Sequence, residues 1–179
     1  RGMEMFVNNR IAADDPRLAT VYANLRENLI DLCNVAKRSG VPVVLSTVAV
    51  NLRDCLPLAS LHRADLSKPD QAQWETIYQA GVALEAAGRP ADAIEKYQAA
   101  EKIDPSFAEL QFRLARCLAA TDRLAEAKER FVRARDLDAL RFRADTRINA
   151  TVREVAASLR ADEVRLVDAE QSLAGSKLA

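Results

Sequence analysis

One histidine, three cysteines and a few polar loop residues are the groups of this 179-residue chain that first invite a reading as catalysis. His62 follows Ser60 by two positions, a pairing that would suit a hydroxyl nucleophile and its base. Such chemistry needs a base oriented by a third group and aimed at an exposed nucleophile, and the two residues of one loop supply neither, so His62 reads as a loop histidine. Thr47, Asn51, Arg53 and Asp54 end or follow an apolar run and would border a ligand crevice if that run is a strand of an α/β sheet. The simpler reading has Asn51 and Asp54 bonding loop backbone, as turn residues do. Cys33, Cys55 and Cys117 are too scattered for a disulfide framework or a zinc site. They read as reduced, mostly buried thiols of a cytoplasmic chain whose native N-terminus is not visible. Met3 and Met5 read as core filler, and neither a metal, a cofactor nor catalysis by this chain is expected.

The elements that hold these residues follow from patterning. Lys+Arg and Asp+Glu both number 26, so no electrostatic footprint for nucleic acid exists. No apolar run approaches the ~20 residues of a membrane-spanning helix. Asp14-Asp15-Pro16 opens a helix over about 15–39, with Asp15 as cap and Pro16 in the first turn. Leu18, Tyr22, Leu25, Leu29, Leu32 and Ala36 make its apolar stripe, and Ser39-Gly40 ends it. The β-branched run Val41–Val50 predicts a strand buried on both faces, as in a parallel sheet. A second strand is expected over about 164–168, with Asp168 and Gln171 at capping-box spacing for a short helix from Ala169. Between the strands lies a helical insert, residues 64–140, and the whole predicts a mostly helical α/β chain. Residues 1–63 form its first α/β segment and 141–179 its return to the sheet.

Within the insert, Ile77-x2-Ala80-Gly81-x2-Leu84, Ala93-x3-Tyr97 and Ala100 recur 34 residues later as Gln111-x2-Leu114-Ala115-x2-Leu118, Ala127-x3-Phe131 and Ala134. This resembles the tetratricopeptide repeat (TPR), a helix–turn–helix unit that stacks into binding surfaces, with copies at about 74–107 and 108–141. Helices are expected from Asp70 to Ala87, from Pro90, from Pro105 and from about Leu124 to Asp136, divided by Gly88-Arg89 and Asp104-Pro105. Two repeats leave an apolar end, and Ile148 and Val152, one period beyond Leu114 and Leu118, predict a capping helix from about Phe142 to Leu159. In such repeats the first helices line the concave face. The resemblance therefore implies a protein or peptide site at Tyr78, Val82, Phe112, Arg113 and Arg116, with Arg143 and Arg147 on the cap. The arginines would receive an acidic segment, or, in the plainer reading, pair with acids of the repeat itself.

Further segments suggest a larger family. Gly2-Met3-Glu4-Met5-Phe6, Asp14-Asp15-Pro16-Arg17-Leu18, Thr47–Cys55, Ser60-Leu61-His62-Arg63 and Arg135–Asp145 resemble bacterial TPR-containing proteins of the SGNH (GDSL-type) hydrolase superfamily. The resemblance implies a partial flavodoxin-like three-layer fold with the TPR pair inserted, in a protein that hydrolyses or transfers esters. Its catalytic boxes are absent: no Gly-Asp-Ser occurs, Asn8-Asn9 follows Val7 rather than Gly, and Ala59 stands where an acid would precede His62. By family order those boxes would fall outside the chain, which then reads as a non-catalytic middle segment. A sheet of so few strands would leave open edges, predicting a homo-oligomer through the sheet.

Overall fold

The computed structural model describes residues 6, 8–159 and 164–174, so Met3 and Met5 lie outside the described residues. The order of elements is α1 (Arg17–Arg38), β1 (Val43–Ser46), α2 (Lys68–Ala86), α3 (Pro90–Ile103), α4 (Ala108–Ala120), α5 (Leu124–Asp136), α6 (Thr146–Ser158), β2 (Val164–Val167) and α7 (Ala169–Ala174). The chain is mostly helical and divides into two compact units. One comprises the residues up to Ala13 together with Leu52–Leu140, and the other Asp14–Asn51 together with the chain from Arg141.

In the first unit, α2–α5 form two helical hairpins. Ser67 caps α2: its hydroxyl accepts the Asp70 N–H at 3.2 Å and donates to the Asp70 carboxylate at 2.7 Å. Each hairpin turns through one left-handed residue, and the two are one period apart. Gly88 has φ 71° and Asp122 has φ 61°, Asp being among the few side chains that tolerate this conformation. Small residues set how closely the helices approach. A Cβ on Gly81 would stand 2.6 Å from Cε1 of Tyr97, so only glycine lets α2 lie against that buried ring. Trp74, Tyr97, Leu110, Leu114 and Leu118 fill the core between the hairpins. Gln111, which stands where the repeat usually has Trp, is also buried. Its amide donates to Glu101 at 3.0 Å and to the Pro105 carbonyl at 3.1 Å, and its oxygen accepts from Arg130 at 3.0 Å. A polar tie between α3, α4 and α5 thus replaces an aromatic wedge.

In the second unit, α6 packs on α1, and β1 pairs with β2 in parallel, Val43 opposite Val164 through Ser46 opposite Val167. The strand expected over 41–50 is confined to Val43–Ser46 and is not buried on both faces, since Val44 is 62% exposed. Pro42 has no N–H to donate, and the partner strand spans four residues. Beyond it the Thr47 N–H still reaches the Val167 carbonyl at 3.2 Å. The Val48 backbone then finds a side chain in place of a strand: its N–H donates to Asn149 Oδ1 at 2.8 Å and its carbonyl accepts from Nδ2 at 3.0 Å. The apolar run reports burial of alternate residues and says nothing of which backbone will pair with it. Among the described residues the sheet has two strands, and no flavodoxin-like three-layer sheet is formed.

Helix ends also differ from expectation in detail. α1 begins at Arg17, and Asp15, just outside it, accepts both the Arg17 N–H and its guanidinium at 2.9 Å. Leu32, placed on the apolar stripe, is exposed. α6 begins at Thr146 rather than near Phe142 because Asp145 caps it, accepting the Ile148 N–H at 2.9 Å.

Candidate interaction site

The sites anticipated from sequence separate by unit. Tyr78, Val82, Phe112, Arg113 and Arg116 belong to the repeat unit, as do Arg53 and Asp54; Thr47, Asn51, Arg143 and Arg147 belong to the other. Two of the concave-face candidates are core residues. Tyr78 is 6% exposed, stacked on Trp74 with ring centroids 4.6 Å apart, and Phe112 is 2% exposed, edge-on to Phe131 at 5.4 Å. Their spacing marks the inner side of the first helices, but large apolar rings on that side are drawn into the interior. Val82 is half-buried against the same core.

The polar residues of this face form a compact cluster. Arg113 donates to Glu109 at 2.9 Å and to Glu85 Oε2 at 3.1 Å, and Glu85 Oε2 also accepts the Tyr97 hydroxyl at 2.7 Å. Bonds to these carboxylates hold Arg113 firmly charged, outweighing the opposing effect of burial. Burial, with Glu85 beside the hydroxyl, keeps Tyr97 neutral well above the usual tyrosine range. Arg116 is different. It is 54% exposed and reaches only the second oxygen of Glu85, at 3.7 Å, too far for a hydrogen bond. Arg113 is therefore committed within the repeat, as the plainer reading of the arginine face expects, while Arg116 keeps donors facing solvent.

His62 is the residue that sequence reasoning placed least well. Its Nδ1 lies 2.7 Å from Asp104 Oδ2, and its ring sits edge-on to Trp74 at 4.6 Å and tilted over Phe107 at 4.7 Å. It is a docked side chain, oriented by a carboxylate 42 residues away. The Ser60 hydroxyl beside it accepts the Glu109 N–H at 2.9 Å and serves the start of α4, which has no side-chain cap of its own.

In the second unit, Thr47 directly follows β1 and is locked rather than open. Its hydroxyl donates to Asp168 at 2.9 Å and accepts the Glu170 N–H at 3.0 Å. Asp168 also takes two bonds from Arg153, at 2.7 and 2.9 Å, and the Gln171 N–H at 3.1 Å, so it caps α7 as its spacing predicted. The Arg153 bonds hold the Asp168 carboxyl well below the usual range. Arg147 lies over the Tyr22 ring, 4.1 Å from its centroid, beside a shallow groove of about 300 Å³ between α1 and α6. None of the three cysteines is in a disulfide, Cys33 and Cys117 are buried, and no cluster of metal-ligating residues occurs among the described residues.

Two stacked hairpins with small residues at their crossings define a helical-repeat module, a class whose exposed faces bind other proteins. The tetratricopeptide-repeat family matches residues 84–144, and that repeat suggests protein–protein interaction. No curated protein and no solved structure matches the chain. No helix among the described residues is long and apolar enough to cross a membrane.

Proposed function

We propose that the repeat pair is a protein-interaction module that receives an acidic segment of a partner at its concave face, anchored by Arg116. The observation that carries this is the division of labour around Glu85, whose near oxygen is taken by Tyr97 and Arg113 while Arg116 is left with a long contact and half its surface exposed. A partner carboxylate would gain a charge-assisted pair there without breaking the bonds of Arg113. Titrating a glutamate-rich peptide by fluorescence anisotropy tests it: Arg116→Ala should weaken binding about two- to fivefold, the worth of one exposed charged contact of ~0.5–1 kcal/mol. Unchanged affinity would remove the arginine anchor.

A second reading makes the chain part of an SGNH-type ester hydrolase or acyltransferase, with Thr47 and Asn51 bordering its crevice. Its support is the sequence resemblance together with the parallel pairing of β1 and β2. Under this reading the chain alone should not hydrolyse p-nitrophenyl acetate above an albumin background, and a parent reading frame without Gly-Asp-Ser and acidic-x-x-His boxes would leave a scaffold only. Val44, Leu166 and Val167 are exposed on a two-stranded sheet, which supports self-association there. A monomeric mass by light scattering at micromolar concentration would count against it.

A further inference from the structure

Residues 52–63 belong to the repeat unit yet form neither helix nor strand. This strap is held by two aspartates that stand one repeat period apart. Asp104 and Asp138 close the second helices of their hairpins and are 0% and 1% exposed. Each turns one oxygen to the amide two residues on, Asp104 to Ser106 at 2.9 Å and Asp138 to Leu140 at 3.1 Å. Each also reaches the strap. Asp138 accepts the N–H groups of Leu58 and Ala59 at 2.9 and 3.1 Å, and Asp104 pairs with the His62 ring and accepts the Arg63 N–H at 3.4 Å.

Between these anchors the Ala139 N–H donates to the Ala59 carbonyl at 3.0 Å and the Glu109 N–H to the Ser60 hydroxyl. Most of the contacts are to strap backbone, so they select an extended chain more than a sequence. Two strap side chains are engaged, Ser60 through its hydroxyl and His62 through its ring. One donor of the site is left over. The indole N–H of Trp74, fully buried beside the His62 ring, has no acceptor among the described residues. Such a group is costly unless something supplies an acceptor.

We propose that the edge formed by Asp104, Asp138 and the Trp74–Phe107 aromatic pair is a peptide-binding site filled in cis by the strap. A partner protein enters it with an extended segment of the same pattern, hydroxyl, any residue, ring, whose side chain also offers the Trp74 N–H an acceptor. The strap then competes with the partner, and its release opens the site. The proposal rests on the reading that the repeat pair binds proteins, but uses a different surface from Arg116, so the acidic-peptide titration and the following experiment fail independently.

A fluorescent peptide of residues 55–66 is titrated against the full chain and against the full chain carrying Ser60→Ala with His62→Ala, whose own strap is weakened. The variant should bind at least about tenfold more tightly than the natural chain, the factor by which cis occupancy lowers apparent affinity. A peptide with alanine in place of its histidine should bind more weakly. No saturable binding to the variant, or equal binding to both chains, overturns the proposal. If Trp74 fluorescence shows that the variant does not fold, amide exchange of the natural chain decides. Leu58, Ala59 and Arg63 exchanging about tenfold or more faster than Leu114 and Ala115 supports a releasable strap, and exchange in one common step with the helices overturns it.

Discussion

Replacing Gly81 by alanine sets two effects against each other, and the geometry says which prevails. In an open helix interior the change would stabilise by about 1 kcal/mol through helix propensity alone. Here the new methyl would lie 2.6 Å from Cε1 and 2.8 Å from Cδ1 of Tyr97. That ring cannot swing aside, being fully buried with its hydroxyl bonded to Glu85. Overpacking of this kind costs about 1–3 kcal/mol, and an approach this close falls toward the upper end, so a net loss of up to about 2 kcal/mol is expected after the propensity gain. Trp74 is the only tryptophan and sits in the same core, so its emission in a urea titration reports this unit by itself. The midpoint should fall while the slope stays the same. Tyr97→Leu in the same background removes the offending ring atoms, and the double-mutant cycle should recover about 1 kcal/mol or more of the loss. If Gly81→Ala raises the midpoint, or the two changes simply add, then α2 and α3 are not in the close contact described, and the account of the small-residue pattern is wrong.

Three further outcomes are expected. Asp168, depressed by its bonds to Arg153, contributes stability to the second unit that is present above the ordinary aspartate range and lost as pH falls through the lowered value; its carboxyl chemical shift should titrate far below a free aspartate, and Arg153→Met should raise it toward the usual range, the Thr47 and Gln171 bonds holding part of the depression. Tyr22 is pushed up to about 12 by burial and by Asp145, so the stability it gives holds below its unfolded value of about 10 and is lost as pH rises through about 12. Ultraviolet titration should find no folded-state tyrosine ionising below pH ~11, and one that ionises near its free value would refute the Tyr22–Asp145 pairing. Asn149→Asp keeps the shape but sets a carboxylate against the Val48 carbonyl; a loss of about 1–3 kcal/mol in the second unit is expected, read by exchange of the Val48 amide.

What was legible in the sequence is local. Gly88 and Pro90 mark helix ends by backbone restriction, Pro105 marks the end of α3 but not the start of α4, which begins at Ala108, and the alternation of alanines with Tyr97 and Phe131 marks the hairpin crossings; these features survive in the structure because they depend on neighbours one or two turns away. The strand failed at its ends because pairing depends on a partner more than a hundred residues distant, and Val48 turned to Asn149 instead of another strand. Tyr78 and Phe112 were placed on the correct helices, but their exposure depends on what packs over them. His62 was invisible as a docked residue, since nothing near it signals Asp104. Yet a signal existed: Asp104 and Asp138 hold the same place in both repeats, and an aspartate kept in register with the packing residues, at the end of a helix that gains nothing from negative charge there, calls for a donor.

The strap also gives this module a history that its helices lack. Stacked hairpins form from near neighbours and can assemble as they are made. The strap cannot, because Leu58 waits for Asp138, 80 residues downstream. At synthesis rates of about 5–20 residues per second, the delay is roughly 4–16 s. Throughout that interval the strap is on hand while its anchor on the second hairpin is still unmade, and the Asp104 edge of the first hairpin forms before the Asp138 edge. A factor that meets the nascent chain therefore encounters a half-built edge and an undocked strap, an opportunity that closes once the second hairpin is complete.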